Sequence, residues 1–226
     1  MRTDALLGAL QLSDSALPIG RFTHSYGLES LLADRAPMDD DEMGELVETA
    51  VRESAGPLDG VAVAHAHRAT SVAELGEVDA WLTARKLAPG ARSASHSCGR
   101  RLAALVPRLT DRTPALAFAA AVGSGESDGN VAVVHGTLAA TLDIEAEDAV
   151  LLELRGLASG MLSAAVRLGA LSALRAQALQ RRLAPALEAA ADEALRLSPA
   201  EARSTALELE LASLRHHRRE ARLFSS

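Results

Sequence analysis

The sequence predicts an all-α fold, a single-domain bundle of roughly ten helices over residues 1–226, and three observations carry that prediction. Alanine makes up about a fifth of the 226 residues, with leucine, glutamate and arginine filling much of the rest, and these residues favour helix. Aromatic residues are 2 %, so the core must be built from Ala, Leu and Val on closely packed helices. Apolar residues recur at helical spacing, whereas strand signals are nearly absent.

The elements follow in order. Thr3 or Asp4 caps a first helix ending near Leu12, and a second is expected from about His24 to Ala33. Asp39 to Asp41 place negative charge at the start of a third, where the helix dipole favours it, and Gly56-Pro57 is expected to stop it. Ser71 with Glu74 reads as a capping box for a helix reaching about Ala88. Pro89-Gly90 separates this from another helix, which Pro107 ends or kinks. Thr113-Pro114 reads as a cap plus first helical position, and residues 123–129 end that helix. Asn130 to Leu142 reads as a tightly packed helix with Gly136 at a close crossing, and His135 in it as a hydrogen-bonded core histidine.

Val150, Leu154, Leu157, Met161 and Ala165 form one buried stripe. Arg167, after an apolar segment, either caps carbonyls of its own helix or reaches across a subunit interface. A long helix from about Ser172 to Leu197 is expected to break or bend at Pro185. Ser198-Pro199-Ala200-Glu201 reads as one further helix start.

Composition excludes several classes of function. A net charge of −7 disfavours a general nucleic-acid binder, which needs a basic face. The single cysteine, Cys98, allows no internal disulfide and fits a reducing compartment. Neither a signal peptide nor an apolar run long enough to span a bilayer is read, so a cytoplasmic chain without membrane contact is expected. Lys86 is the one lysine and stands in no phosphate-binding loop, and no Gly-x-Ser-x-Gly elbow is present. His65 with His67, and His96 with Cys98, are spaced two apart, which puts each pair on different faces of a helix. No catalytic residue, metal ligand set or cofactor site is assigned.

Two segments stand apart from the helical pattern. Leu10 to Ser30 (LQLSDSALPIGRFTHSYGLES) packs two aromatics, a histidine and several hydroxyls around Pro18 and Gly20. It is either an interhelical packing loop or a docking surface. The tail from Leu214 to Ser226 crowds Arg215, His216, His217, Arg218, Arg219 and Arg222 before Leu223-Phe224. It is a solvated end, a contact for an acidic partner surface, or a strand of chain packed back on the body.

In this order the segments resemble the UreF family of urease accessory proteins. The likeness is strongest in Leu10-Gln11-Leu12, Pro18-Ile19-Gly20, Phe22, Thr23-His24-Ser25 and Gly27-Leu28-Glu29. Asn130 to Ile144 is similar to the family's later glycine-containing helix, and Ser163 to Leu168 to its Ser-Ala-Ala-Val-Arg-Leu segment. Leu214-Arg215-His216 and Arg222-Leu223-Phe224 match its closing motifs. The chain departs from the pattern at Phe22, where Tyr is common, at Asp143, where glycine is usual, at residues 170–173, and at His217 and Glu220.

The resemblance implies a non-enzymatic, all-helical, homodimeric scaffold. It would bind UreD (also called UreH), recruit the nickel-carrying GTPase UreG and act on apo-urease, with nickel handled by the complex rather than stably bound here. The partner-docking residues expected are Phe22, His24, Ser25, Gly27 and Glu29 in the segment of about residues 10–30. In the tail of about residues 214–226 they are Arg215, His216, Arg222, Leu223 and Phe224. Phe22 and Phe224 would be apolar anchors, and Glu29 with Arg222 could instead be an internal pair that pins the tail. The rival reading is a metallochaperone carrying nickel itself through His24, His216, His217 and possibly Cys98.

Overall fold

The computed structural model describes residues 3–35, 37–216 and 223–225. Among them run twelve α-helical segments and no strand. In chain order these are α1 (Thr3–Ser13), α2 (Leu28–Ala33), α3 (Asp40–Ala50), α4 (Val61–Arg68), α5 (Val72–Arg85) and α6 (Pro89–Leu109). Then follow α7 (Ala115–Ser124), α8 (Val131–Thr141), α9 (Ala146–Arg167), α10 (Ala173–Arg182), α11 (Ala184–Arg196) and α12 (Leu207–His216). A single 3-10 turn, Arg21–Thr23, lies between α1 and α2.

Helix α8 is the axis of the bundle. Every residue from Val131 to Ala139 is buried, as expected for a helix apolar on all sides, and α4, α6 and α9 pack around it. Its two threonine hydroxyls are satisfied within the helix, Thr137 and Thr141 each donating 2.8 Å to the carbonyl four residues back. Gly136 is the contact with α4: a Cβ there would lie 2.6 Å from the Val63 carbonyl oxygen. Helix α9 presents Val150, Leu154, Met161 and Ala165 to this core. By length and composition α9 could cross a membrane, but half of its apolar window is buried inside the bundle, the pattern of a core helix.

Helices α3 and α4 are one rod. Gly56-Pro57 does not stop the helix as expected; the intervening Val51–Gly60 winds as a π-helix. Pro57 has no N–H to give the Glu53 carbonyl, so the turn widens, and the freed Glu53 oxygen accepts from Thr205 N at 2.7 Å. Gly56 and Gly60 lie against α11, where a Cβ would meet Ala190 Cβ at 3.3 Å and Ala194 Cβ at 2.9 Å. At the end of the π segment Asp59 receives Lys86 Nζ at 2.8 Å on both oxygens, both side chains being largely buried. Asp39 starts the rod, its carboxylate accepting from Asp41 N and Glu42 N while Glu42 accepts from Asp39 N, each at 2.9 Å.

Other boundaries shift for local reasons. The second helix begins at Leu28 rather than His24, because Tyr26 and Gly27 adopt left-handed φ values of 56° and 86°. Helix α5 ends at Arg85, short of Ala88. Glu74 reaches past its Ser71 cap to Thr70 N at 2.7 Å, so only half of the capping box forms. Pro107 lies inside the last turn of α6, which continues to Leu109. Pro114, not Thr113, holds the cap position of α7. The helix expected over residues 172–197 is two, parted at Leu183, two residues before Pro185. Ser198 and Glu201 close a single turn instead of starting a helix, and α12 begins only at Leu207. Asp143, at a position where glycine is usual in the similar family, has a left-handed φ of 56°. A short polar side chain tolerates that conformation better than most.

Candidate docking site

The chain leaving α1 turns at Gly20 (φ 84°) and sends consecutive side chains in opposite directions. Arg21 points inward to the Glu153 carboxylate on α9, and Phe22 points outward, 66 % exposed. The Thr23 hydroxyl closes the turn on the Gly20 carbonyl at 2.9 Å. Tyr26 lies over Gly160, whose hydrogen leaves room that a Cβ, 2.9 Å from the ring, would take. Gly27 lets α12 approach: a Cβ there would sit 3.0 Å from Leu209 O and 3.2 Å from Ser213 N.

The interior of this segment is charged and paired. Burial pushes the Glu153 carboxyl up, but Arg21 and then His135 outweigh it and hold the group well below the usual carboxylate range. Burial disfavours the Arg21 charge too, and Glu153 reverses that effect. His24 is lowered to about 4, first by burial and then by the nearby Arg101 and Arg21 charges, so it is neutral at physiological pH. Burial raises Tyr26 to about 12 and moves the Cys98 thiol upward.

The tail returns to this same segment. The two Glu29 carboxylate oxygens accept from Leu223 N at 2.6 Å and Phe224 N at 3.1 Å, and Ser225 N donates to Thr23 O at 2.8 Å. His216 Nε2 is 3.2 Å from the Phe224 carbonyl, and Nδ1 is 3.3 Å from Ser30 Oγ. The carbonyl can only accept, so Nε2 carries a proton and Nδ1 faces the hydroxyl. Phe224 is buried, and the Arg167 guanidinium lies over its ring, 4.3 Å from the centroid. The same guanidinium donates to the Phe22 carbonyl, while its Nε bonds Ser163 O, so Arg167 caps its own helix and clasps both segments.

The expected docking residues therefore divide in two. His24, Ser25, Gly27, His216 and Phe224 are buried, and Glu29 is largely covered; these residues build the platform from within. Phe224 is an internal anchor rather than an exposed one. Phe22, Leu223 (66 % exposed) and Arg215, which lies 3.9 Å from Asp34, face outward. Arg222 and His217 lie outside the described residues. Glu29 does pin the tail, through backbone amides.

Of the residues of the rival metal reading, His24, Cys98 and His216 are buried, and His217 lies outside the described residues. Among the described residues no group of three His, Cys, Asp or Glu side chains could hold a metal ion.

Sequence reading missed the Arg21–Glu153 pair, which joins positions 132 residues apart. One signal was available: Glu153 falls on the apolar stripe of α9, between Val150 and Leu154, and a carboxylate there needs a buried partner.

The sequence profile of the UreF family matches residues 38–184. This chain belongs to the UreF family. It is 30 % identical over 220 residues to the urease accessory protein UreF of Arthrobacter sp. (strain FB24), covering 97 % of this chain and 96 % of that one. The UreF of Corynebacterium efficiens is 27 % identical over 225 residues, covering 100 % of this chain and 98 % of that one. The UreF 2 of Brucella canis is 33 % identical over 194 residues, covering 83 % and 79 %. The stretch matching the UreF profile ends before the tail and begins after Phe22–Glu29, but the Arthrobacter UreF is alignable over nearly the whole chain.

Proposed function

We propose that this UreF-family chain is a non-enzymatic scaffold of urease maturation. Acting as a homodimer, it would dock UreD/UreH on the platform formed by the α1–α2 loop and the tail, and so recruit UreG to apo-urease. No stably bound nickel is assigned to this chain. One observation carries the reading. Two segments nearly 200 residues apart are cross-linked by backbone-to-carboxylate hydrogen bonds into one surface that leaves Phe22 and Leu223 bare. Large apolar side chains held on an ordered base are what binding hot spots require.

The test is capture of purified UreD/UreH by wild type and by Phe22→Ala/Leu223→Ala, with folding matched by circular dichroism. At least tenfold weaker capture by the variant is expected. Equal capture would move the interface elsewhere, and light scattering of the free chain at a monomer mass would remove the dimer.

A further inference from the structure

The loop that carries Phe22 is tied to the core by charge. Arg21 and His135 face the same Glu153 oxygen: the Arg21 guanidinium donates to Oε2, and His135 Nδ1 lies 3.2 Å from it. The Glu153 and His135 side chains are each 5 % exposed and that of Arg21 23 %. Burial opposes the Glu153 charge, and Arg21 and then His135 overcome it, so the carboxylate is ionised inside the bundle.

Ion pairs buried in this way add little stability. Taking both charges out of water offsets their attraction, and apolar side chains of similar size often hold a fold as well. What such a pair can do is fix one arrangement of the chain. Arg21 and Phe22 are consecutive in the 3-10 turn Arg21–Thr23, where successive side chains stand about a third of a turn apart. With Arg21 held inward on α9, Phe22 has to face out.

The alternative position is close at hand. A pocket of about 130 Å³ lies beside the Phe22 ring, with Leu12, Leu17, Ile19 and Leu152 in its wall. Apolar cavities only slightly larger accept a benzene ring. A turn free to rotate would bury Phe22 there, because covering an apolar ring is favourable, and the surface would lose its exposed anchor.

We infer that the Arg21–Glu153 ion pair, backed by His135, is a positioning device for partner docking, which keeps Phe22 turned to solvent rather than holding the bundle together. The inference rests on the docking reading above and adds the residues that set the pose of its anchor.

The dissociation constant for UreD/UreH and the melting temperature are to be measured for wild type, Arg21→Met/Glu153→Met and Phe22→Ala. The double variant should melt no lower than wild type to within a few degrees, yet bind about tenfold or more weakly. Wild-type affinity in the double variant together with a loss in Phe22→Ala overturns the positioning role alone. Wild-type affinity in Phe22→Ala, whatever the double variant does, overturns the docking reading and this inference with it. A melting temperature that falls steeply along with affinity makes the pair a structural one and also overturns the inference. Should the double variant not fold, Glu153→Gln decides: it removes the buried charge without changing shape and leaves Arg21 free to swing to water. Its affinity should again be lower, and wild-type affinity overturns the inference.

Discussion

The Arg167 guanidinium stacks on the Phe224 ring at 4.3 Å from its centroid, and so fastens the end of the chain to the close of its longest core helix. Because the same group also donates to the Phe22 carbonyl, one arginine serves both halves of the platform. Cation–π contacts of this kind contribute about 0.5–2 kcal/mol. Arg167→Gln should therefore speed hydrogen exchange at the Leu223, Phe224 and Ser225 amides several-fold while leaving the α8 amides unchanged. Equal exchange in variant and wild type would show that the stack does not hold the tail.

Glu29 is the second fastening. Its carboxylate takes two backbone amides of the tail, and hydrogen bonds to a charged acceptor contribute about 1.5–3 kcal/mol each. Glu29→Ala should make the tail a preferred site of limited proteolysis at neutral pH, and Glu29→Gln, which keeps one acceptor, should fall between it and wild type. The rate of appearance of the truncated fragment by mass spectrometry checks the order.

Two glycines separate packing from propensity. Gly136→Ala drives a methyl to within 2.6 Å of a backbone oxygen on α4, and overpacking of this kind costs about 1–3 kcal/mol. A melting temperature lower by roughly 3–10 °C is expected for a chain of this size. Gly123→Ala meets nothing within 4 Å in α7 and should be neutral or raise stability by about 0.4–1 kcal/mol. Thermal unfolding of the pair supplies its own control.

His24 sets a pH dependence whose sign follows from its depressed folded value. Unfolded, it takes up a proton near 6.5; folded, only near 4. The unfolded state thus binds more protons in between, so stability is full above about pH 6.5 and declines as pH falls toward 4. The contribution is at most about 1.4 kcal/mol for each unit of separation. Urea unfolding of wild type and His24→Gln at pH 7.0, 6.0 and 5.0 should show a shallower decline in the variant. Parallel curves would assign the dependence to other groups.

Much of this architecture is legible in the residues. The stripe through Val150, Leu154, Met161 and Ala165 gives α9, and an uninterrupted apolar run with one glycine gives α8 and its crossing with α4. Pro57 misleads because its damage is local: a widened turn and a distant Thr205 amide repair it, and neither is visible in the rod's own sequence. The site divides in the same way. Phe22, Glu29, His216 and Phe224 stand out by position and type, but which of them face solvent depends on tertiary pairings. Arg21 and Phe22 are adjacent, yet one is paired in the core and the other bare, since only the partner at Glu153 distinguishes them.

The Lys86–Asp59 pair has a practical consequence for work on complexes of this chain. Its only ε-amino group is held on both oxygens of a largely buried carboxylate, while its remaining long cationic side chains are guanidinium groups. Succinimidyl esters will find almost no lysine to acylate on the folded molecule. Cross-link maps of its assemblies must instead be built with carboxylate- or arginine-directed reagents, or with a lysine placed deliberately at the contact of interest.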